Sequence, residues 1–208
     1  MIVVHHLNES RSQRILWLLE ELQAPYEIAF YQRDAHTNLA PPELRDIHPL
    51  GKSPVITDGG RVIAESGAII DYLIRRYGRG RLQPDPASEA YDDYVQWLHY
   101  AEGSAVLPLI MKSVAVRAGK ALAPLSRHVD GEIALHLAFI DHSLEGQDFL
   151  LGDALSGADV QLSFVGELAG VLVDRSAYPN LDAWVRRFQA RPAYQAALTR
   201  GGPYKFAQ

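Results

Sequence analysis

The chain has 208 residues, of which 48% are hydrophobic and 22% charged, with a formal net charge of -5 at pH 7 and no cysteine. These values predict an ordinary soluble globular protein with one large domain or two small ones. The lack of cysteine excludes disulfides, thiolate metal sites and cysteine nucleophiles, and the mild acidity makes nucleic acid a poor candidate partner.

The sequence carries no signal for export or for membrane insertion. Its first residues lack a basic stretch followed by a long apolar core, and no window of 18 apolar residues follows downstream. We therefore expect no secretory leader, no membrane contact and a cytoplasmic location.

The first part of the chain alternates short apolar runs with helical patterns, as a mixed α/β unit does. Residues 2–7 predict a buried strand, and residues 8–12 form a polar turn rich in helix-capping side chains. An amphipathic helix follows at 15–22 and stops at Pro25. Residues 26–31 predict a second strand that pairs parallel with the first through this crossover helix.

The next segment, residues 32–50, reads as a long connection with at most one short helix. Residues 54–57 and 61–64 predict two short strands, because they flank a glycine turn suited to a tight hairpin. Ser66 then opens a helix with apolar residues at helical spacing. The predicted order is therefore βαβ followed by ββα.

A linker separates this part from the remainder. Two glycines and two prolines interrupt the periodicity between Gly78 and Ala87. We therefore place an α/β domain at residues 1–80 and an all-helical domain at residues 87–208.

The second part predicts only helices. We expect the first from Ser88 to about Leu107, where Pro108 kinks or ends it, and another from about 125 to 144. No internal repeat or low-complexity tract interrupts this part of the chain.

Three further helix starts are marked by capping residues and prolines. Ser156 and Asp159 have capping-box spacing, with Asp in place of the usual Glu or Gln. Pro179 and Pro192 stand where two final helices should begin. We assign Asp159 to helix capping and folding, outside the active site.

Two blocks of the first part suit an extended, peptide-like ligand: His48-Pro-Leu-Gly-Lys-Ser-Pro54 and Ala64-Glu-Ser-Gly-Ala68. The Ser53–Pro54 bond is a candidate cis peptide that would expose a strand edge to a ligand's own backbone. Glu65 and Ser66 join a carboxylate, a hydroxyl and helix N–H groups, which suit a ligand's ammonium and carboxylate. A hairpin followed by a capped helix explains the same residues, and spacing alone favours that simpler interpretation.

Five blocks in the same order resemble the glutathione transferase superfamily, and most closely a branch shared by bacteria and fungi. They are Ser10-Arg-Ser-Gln-Arg-Ile-Leu-Trp-Leu-Leu-Glu-Glu-Leu22, the two blocks above, Tyr100-Ala-Glu-Gly-Ser104 and Ser156-Gly-Ala-Asp159, so the resemblance covers nearly the whole chain. It implies a thioredoxin-like N-terminal domain that binds glutathione. It further implies an all-helical C-terminal domain with a pocket for a small-molecule electrophile, and a homodimer.

The resemblance also implies roles for individual residues. Ser53 would offer its backbone N–H and C=O to the cysteinyl part of glutathione, with Pro54 as the cis proline. Glu65 and Ser66 would hold the γ-glutamyl end, and Lys52 would lie near the glycyl end.

The hydroxyl that activates the thiol is harder to identify. In this superfamily a Tyr, Ser or Cys just after the first strand hydrogen-bonds the glutathione sulfur and favours the thiolate. Residues 7–13 contain neither Tyr nor Cys, and Ser10, Ser12 and Asn8 remain as candidates. Ser10 aligns best with the serine of the related branch, and Arg11 would add positive potential. A bound water is an alternative donor, and a serine at a helix start is usually only a cap.

The histidines favour structural explanations. His5 and His6 are successive residues of a strand and point to opposite faces, so they cannot easily share a metal. His128, His136 and His142 lie eight and six residues apart, which does not give the i, i+4 pairs of a helical chelate. We therefore expect no metal site.

The helical part also contains candidates for a second-substrate pocket, although such a stripe is more often core. These are Tyr100, Ser104, Leu107, Met111 and Phe164. We expect a glutathione transferase that binds glutathione as a thiolate and adds it to an electrophile or uses it to reduce peroxides. The alternative is a non-catalytic binding or stress-response protein on the same fold, because fold alone does not decide function.

Overall fold

A computed structural model describes residues 1–119 and 123–207 of the chain. These residues form two compact units. The first consists of Met1–Leu82 together with Gln189–Ala207, and the second is Gln83–Phe188. No helix among the described residues is both long enough and apolar enough to cross a membrane.

The first unit contains a four-stranded sheet with the spatial order β2-β1-β3-β4. Strand β1 is parallel to β2, and β3 is antiparallel to both β1 and β4. The β3–β4 hairpin turns at Gly59 and Gly60, whose positive φ angles of 55° and 83° suit glycine. The elements in chain order are β1 (Ile2–Leu7), α1 (Ser12–Leu22), β2 (Tyr26–Tyr31), α2 (Leu44–Ile47), β3 (Val55–Asp58), β4 (Arg61–Ala64) and α3 (Ser66–Tyr77). The predicted order, βαβ followed by ββα, is therefore confirmed.

Helix α1 is buried on nearly every side rather than on one face only. Its central residues, 15 to 19, have no exposed surface. Strand β1, helix α3 and the last helix, α9 (Pro192–Gly201), all pack against it. Trp17 meets Tyr194 edge to face, with ring centroids 5.5 Å apart. This packing explains why nearly all of this helix, close to the N-terminus, is buried.

Polar contacts also hold the C-terminal segment on α1. The guanidinium of Arg191 binds both carboxylate oxygens of Glu21, at 2.5 and 2.9 Å. Gly201 approaches so closely that a Cβ atom there would lie 2.5 Å from Oε1 of Gln13 and 2.8 Å from Cδ1 of Leu16. The segment Gln189–Ala207 thus belongs to the first compact unit, whereas the predicted boundary places it with residues 87–208.

The second unit consists of helices and their connections. They are α4 (Glu89–Tyr100), a π-helical turn (Ala101–Ala105), α5 (Val106–Ala118), α6 (Ala123–Ser143), α7 (Gly157–Leu172), a 3₁₀ turn (Arg175–Ala177) and α8 (Pro179–Gln189). The predicted helix end near Leu107 is wrong, because α5 continues through Pro108. Pro108 comes just after the π-helical turn Ala101–Ala105, where the regular i→i−4 bonding of the helix is already interrupted.

A buried carboxylate organises the start of α7. Asp159 and Ser156 form the predicted capping box, and Asp159 has no exposed surface. The carboxylate accepts hydrogen bonds from the backbone N–H and the hydroxyl of Ser156 at 2.9 and 2.8 Å. It also accepts from the backbone of Leu150 at 2.9 Å and from the indole of Trp184 at 3.0 Å. Burial raises the pKa of Asp159, and these four donors oppose that rise.

Candidate active site

A cleft of about 290 Å³ opens in the first unit, where the loop before β3 meets the start of α3. Six of the seven predicted site residues line it. The seventh, Ser10, is buried and directly precedes the lining residue Arg11 in the sequence. The lining residues are Arg11, Lys52, Ser53, Pro54, Glu65 and Ser66, together with His48, Leu50, Val55 and Ala64.

The loop before β3 presents free backbone to this cleft. The Ser53–Pro54 peptide bond is cis, as predicted. The pairing of β3 with both neighbouring strands begins at Val55, so Ser53 lies beyond the ladder. Its hydroxyl donates to the carbonyl oxygen of His5 at 3.0 Å, which ties the loop to β1. The backbone N–H and C=O of Ser53 can therefore pair with a peptide-like ligand.

Glu65 and Ser66 form the junction between β4 and α3. Glu65 has φ 67°, a conformation that residues with side chains rarely adopt, and its side chain is exposed. Such strain costs about 1–3 kcal/mol and concentrates at functional sites. Ser66 is the first residue of α3, whose first-turn N–H groups have no partner within the helix. The junction therefore offers a carboxylate, a hydroxyl and backbone donors within one short segment.

Arg14 does not line the cleft, but it contacts the predicted site residue Ser66 and is absent from the residues predicted from the sequence. Its side chain is buried, and Nη2 donates to the hydroxyl oxygen of Ser66 at 2.5 Å. Because a guanidinium only donates, Ser66 accepts this bond and keeps its own proton for a ligand. A sequence signal existed, since Arg11 and Arg14 lie about one helical turn apart. The burial of α1, which turns Arg14 inward, was not visible in the sequence.

The charges that line the cleft favour an anionic ligand. Arg11 and Lys52 supply two positive charges, and Glu65 supplies one negative charge. Lys52 is exposed, so its attraction for a ligand is screened by water and salt. A peptide with two carboxylates and one ammonium matches this arrangement.

Ser10 belongs to a buried hydroxyl cluster, which we define as Ser10, Ser12 and His6. The two serine Oγ atoms lie 2.7 Å apart, and the backbone N–H of Ser12 donates to Oγ of Ser10 at 3.2 Å. The Oγ atom of Ser12 lies 2.9 Å from Nδ1 of His6 and 3.3 Å from the carbonyl oxygen of Leu7. Ser10 thus points to Ser12 and does not line the cleft, so its role stays a prediction.

Asn8 is another candidate for the group that activates the thiol. Its Oδ1 accepts from the backbone N–H of Arg33 at 2.8 Å, and its carbonyl oxygen accepts from the Arg33 guanidinium at 3.2 Å. These bonds hold the turn after β1 against the segment that follows β2. These bonds use the two oxygens of Asn8 and leave its amide Nδ2 as a possible donor, so its role as thiol activator stays a prediction.

The two strand histidines have separate partners. Nδ1 of His5 lies 3.1 Å from the hydroxyl of Tyr31, and burial lowers the pKa of His5. Burial lowers the pKa of His6 to about 4, while a hydrogen bond with the backbone of Gly201 opposes that fall. His6 is therefore neutral at pH 7.

We expect His6 to make the protein sensitive to mild acid. Its folded pKa of about 4 lies below the ordinary value of 6.5, so the unfolded state binds more protons between these pH values. The contribution of His6 is complete above pH 6.5 and is lost as the pH falls towards 4, at about 2 kcal/mol between pH 7 and 4.5. Denaturant unfolding at both pH values would measure it, with His6→Phe as the control that lacks this contribution. Equal pH dependence in both proteins would contradict the prediction.

A second cleft, of about 280 Å³, lies in the second unit. Of the five residues predicted for a second-substrate pocket, Ser104, Leu107 and Met111 line it. Tyr100 is hydrogen-bonded, at 2.8 Å, to Nδ1 of a lining residue, His136. Burial raises the pKa of Tyr100 to about 12, so the phenol keeps its proton at neutral pH. Phe164 is buried in α7 and is not part of the lining.

Comparisons with known proteins agree along most of the chain. Residues 1–75 match the family model for the glutathione S-transferase N-terminal domain, and residues 103–192 match the model for the C-terminal domain. The chain is 33% identical to Glutathione S-transferase 3 of Schizosaccharomyces pombe, over 96% of this chain and 88% of that protein. It is 30% identical to Glutathione S-transferase 1 of Saccharomyces cerevisiae, over 95% and 94%. A solved glutathione S-transferase structure from Actinobacillus pleuropneumoniae superposes with a TM-score of 0.90 at 34% identity, covering 99% of this chain and 94% of that one.

Proposed function

The chain belongs to the glutathione S-transferase family, and on this premise we propose that it binds glutathione in the cleft of the first unit and transfers it to an electrophilic small molecule. The observation that carries the proposal is the convergence of the Ser53 backbone, Glu65 and Ser66 on one cleft. A non-catalytic binding protein is the less favoured alternative, because family membership and the ligand-binding residues occur together.

Each part of glutathione has a matching group in the cleft. The backbone of Ser53 would pair with the cysteinyl residue, next to the cis Pro54. The Glu65 carboxylate would bind the γ-glutamyl ammonium, and the hydroxyl and N–H of Ser66 would bind its carboxylate. Lys52 would attract the glycyl carboxylate. This assignment gives each of the three charged groups of the tripeptide a partner.

We propose Ser10 as the hydroxyl that donates to the glutathione sulfur, with Arg11 adding positive potential. Lowering a thiol pKa from about 8.5 to about 6.5 requires roughly 2.7 kcal/mol, which a charge-assisted hydrogen bond and a nearby cation can supply. The thiolate sulfur then bonds to an electrophilic carbon while the leaving group departs with its electron pair. Reduction of a peroxide would use the same thiolate. Ser12, Asn8 or a water is the alternative donor to the sulfur.

Removing the Ser10 hydroxyl should raise the pKa of bound glutathione by at least about 1 unit, since the thiolate loses a charge-assisted hydrogen bond. Ultraviolet absorbance of the thiolate, followed against pH for the wild type and Ser10→Ala, measures this shift. Ser163→Ala is a matched control, because this buried serine of α7 donates only to the Val160 carbonyl at 3.0 Å. If Ser10→Ala and the wild type titrate alike, Ser10 is not the thiolate donor.

The reaction itself is tested on the unmodified protein. Glutathione should bind at millimolar concentration or below, and a panel of aryl halides, organic peroxides and disulfides should identify the second substrate. Lack of glutathione binding in this range would overturn the enzymatic proposal. We expect disulfides to react least, because the chain has no cysteine to form a mixed disulfide.

We further propose that the apolar part of the electrophile binds in the cleft of the second unit. Leu107 and Met111 line this cleft and are 55% and 37% exposed, so they offer apolar surface to a ligand. A homodimer in the cytoplasm is the form we expect from the family resemblance. Sedimentation of the purified protein tests the dimer directly.

A further inference from the structure

We infer that Ser12 and His6 are positioning residues that turn the hydroxyl proton of Ser10 away from bound glutathione until the sulfur ionises. The inference rests on the proposed role of Ser10 as the sulfur's hydrogen-bond donor. It concerns the direction of each hydrogen bond in the hydroxyl cluster, which the positions of the heavy atoms constrain.

The cluster is a chain of three groups buried from solvent. Exposed fractions are 5% for Ser10, 0% for Ser12 and 3% for His6. The successive contacts are 2.7 Å between the serine oxygens and 2.9 Å from the Ser12 oxygen to Nδ1 of His6. Because the cluster is buried, each hydroxyl and imidazole proton in it needs an acceptor within the protein.

The tautomer of the His6 imidazole determines the direction of the hydrogen bonds in the cluster. A backbone hydrogen bond that raises an imidazole pKa is one in which the ring N–H donates to a carbonyl oxygen, and His6 makes such a bond with Gly201. Nδ1 faces Ser12, so the proton given to Gly201 sits on Nε2. Because neutral imidazole carries one N–H, Nδ1 must then accept a hydrogen bond. Ser12 donates this hydrogen bond to Nδ1. The other contact of the ring is an edge-to-face packing on Phe30, which carries no charge at any pH.

The tautomer of His6 determines which atom accepts the single hydroxyl proton of Ser12. The hydroxyl of Ser12 donates to His6, so it cannot also donate to Ser10 or to the Leu7 carbonyl, which is more distant at 3.3 Å. In the 2.7 Å contact between the serines, Ser10 is therefore the donor and Ser12 the acceptor. The backbone N–H of Ser12 donates to Oγ of Ser10 and keeps that oxygen in place.

Ser12 and the glutathione sulfur consequently compete for one proton. A neutral thiol is a weak acceptor and leaves the Ser10 proton with Ser12, whereas a thiolate attracts it through a charge-assisted bond. The change requires only rotation about the Cβ–Oγ bond of Ser10, because its oxygen is already held. Ser12 stabilises the thiol-bound state relative to the thiolate-bound state, so it limits how far Ser10 can lower the thiol pKa.

The test is the pKa of bound glutathione in Ser12→Ala, measured by thiolate absorbance. The variant removes the competing oxygen but keeps the backbone N–H that holds Ser10. We expect the thiol pKa to fall by about 0.5 to 1 unit relative to the wild type, or roughly three- to tenfold more thiolate below the pKa. A residue with only a structural role would leave the pKa unchanged or raise it.

His6→Phe gives a second, independent variant. Phenylalanine retains a ring against Phe30 but offers no acceptor, so the Ser12 proton turns to the Leu7 carbonyl at 3.3 Å or to Ser10. Either way the hydrogen-bonded series that ends on His6 is broken, and the Ser12 oxygen holds the Ser10 proton less strongly. The thiol pKa should again fall, while Arg11, His48, Lys52 and Glu65, the charged and titratable groups of the cleft, stay the same in every variant. Ser163→Ala should match the wild type.

The two proposals fail in different ways. If Ser10→Ala raises the thiol pKa but neither Ser12→Ala nor His6→Phe lowers it, the positioning inference is wrong and the role of Ser10 stands. If Ser10→Ala leaves the thiol pKa unchanged, both are wrong. If Ser12→Ala does not fold, the result for His6→Phe decides alone.

Discussion

Replacing Glu65 with glutamine should raise both Kd and KM for glutathione about 10- to 100-fold. Glutamine keeps the size of the side chain but removes the negative charge that would pair with the γ-glutamyl ammonium. The loss corresponds to one charge-assisted hydrogen bond, or about 1.5–3 kcal/mol. Calorimetric titration with glutathione measures Kd, and initial rates over glutathione concentration measure KM.

A glycine at the same position separates binding from folding. Glu65 has φ 67° and ψ 118°, and glycine, which has no Cβ, meets less steric strain in this region. Glu65→Gly should therefore lose glutathione affinity as Glu65→Gln does, while its free energy of unfolding rises by about 1 kcal/mol. Such a pair of effects marks a residue retained for its chemistry. If Glu65→Gln binds glutathione as the wild type does, the assignment of the γ-glutamyl end is wrong.

Replacing Asp159 with alanine should lower the free energy of unfolding by about 3–5 kcal/mol. The substitution leaves four donors without an acceptor at a position with no exposed surface. The loss of a fully buried, fully bonded carboxylate has this magnitude in other proteins. Denaturant unfolding, monitored by fluorescence of Trp184 and the other tryptophans, measures the change.

Asp174 provides a matched control for Asp159. Its carboxylate also caps a helical turn, where it accepts from the backbone N–H of Ser176 at 2.9 Å, but the contact is exposed to solvent. Asp174→Ala should therefore lower the free energy of unfolding much less than Asp159→Ala does, because water replaces the lost bond. A similar small loss for Asp159→Ala would contradict the importance we assign to burial.

Elements whose cause is local could be predicted correctly. The β-branched run of β1 and the glycine turn at 59–60 each depend on residues close in sequence. The capping side chains expected before α1 are an exception, because its N-cap residue is Arg11 and makes no side-chain capping bond. The capping box of Ser156 and Asp159 spans three residues, and Pro179 and Pro192 begin α8 and α9 as expected. Most of the cleft was predictable for a related reason, since its residues come from two compact blocks, at 48–55 and 64–66.

Features that depend on contacts between distant segments could not be predicted. Arg14 reaches Ser66 across 52 positions, and α9 covers α1 from the other end of the chain. An amphipathic pattern shows which face of α1 is apolar, but it does not show that Arg14, Ser12 and Gln13 are also covered.

The hydrogen-bond partners of Ser10 also could not be predicted from the sequence. The sequence shows a serine soon after β1, and this position suits both a helix cap and a thiolate donor. Only the folded chain brings His6 beside Ser12 and Gly201 beside His6, and these neighbours set the direction in which the Ser10 proton points. Local sequence thus determines which groups are available, because helix caps, turns and strands form among neighbours. Tertiary packing decides their hydrogen-bond partners, because burial removes water as the alternative partner.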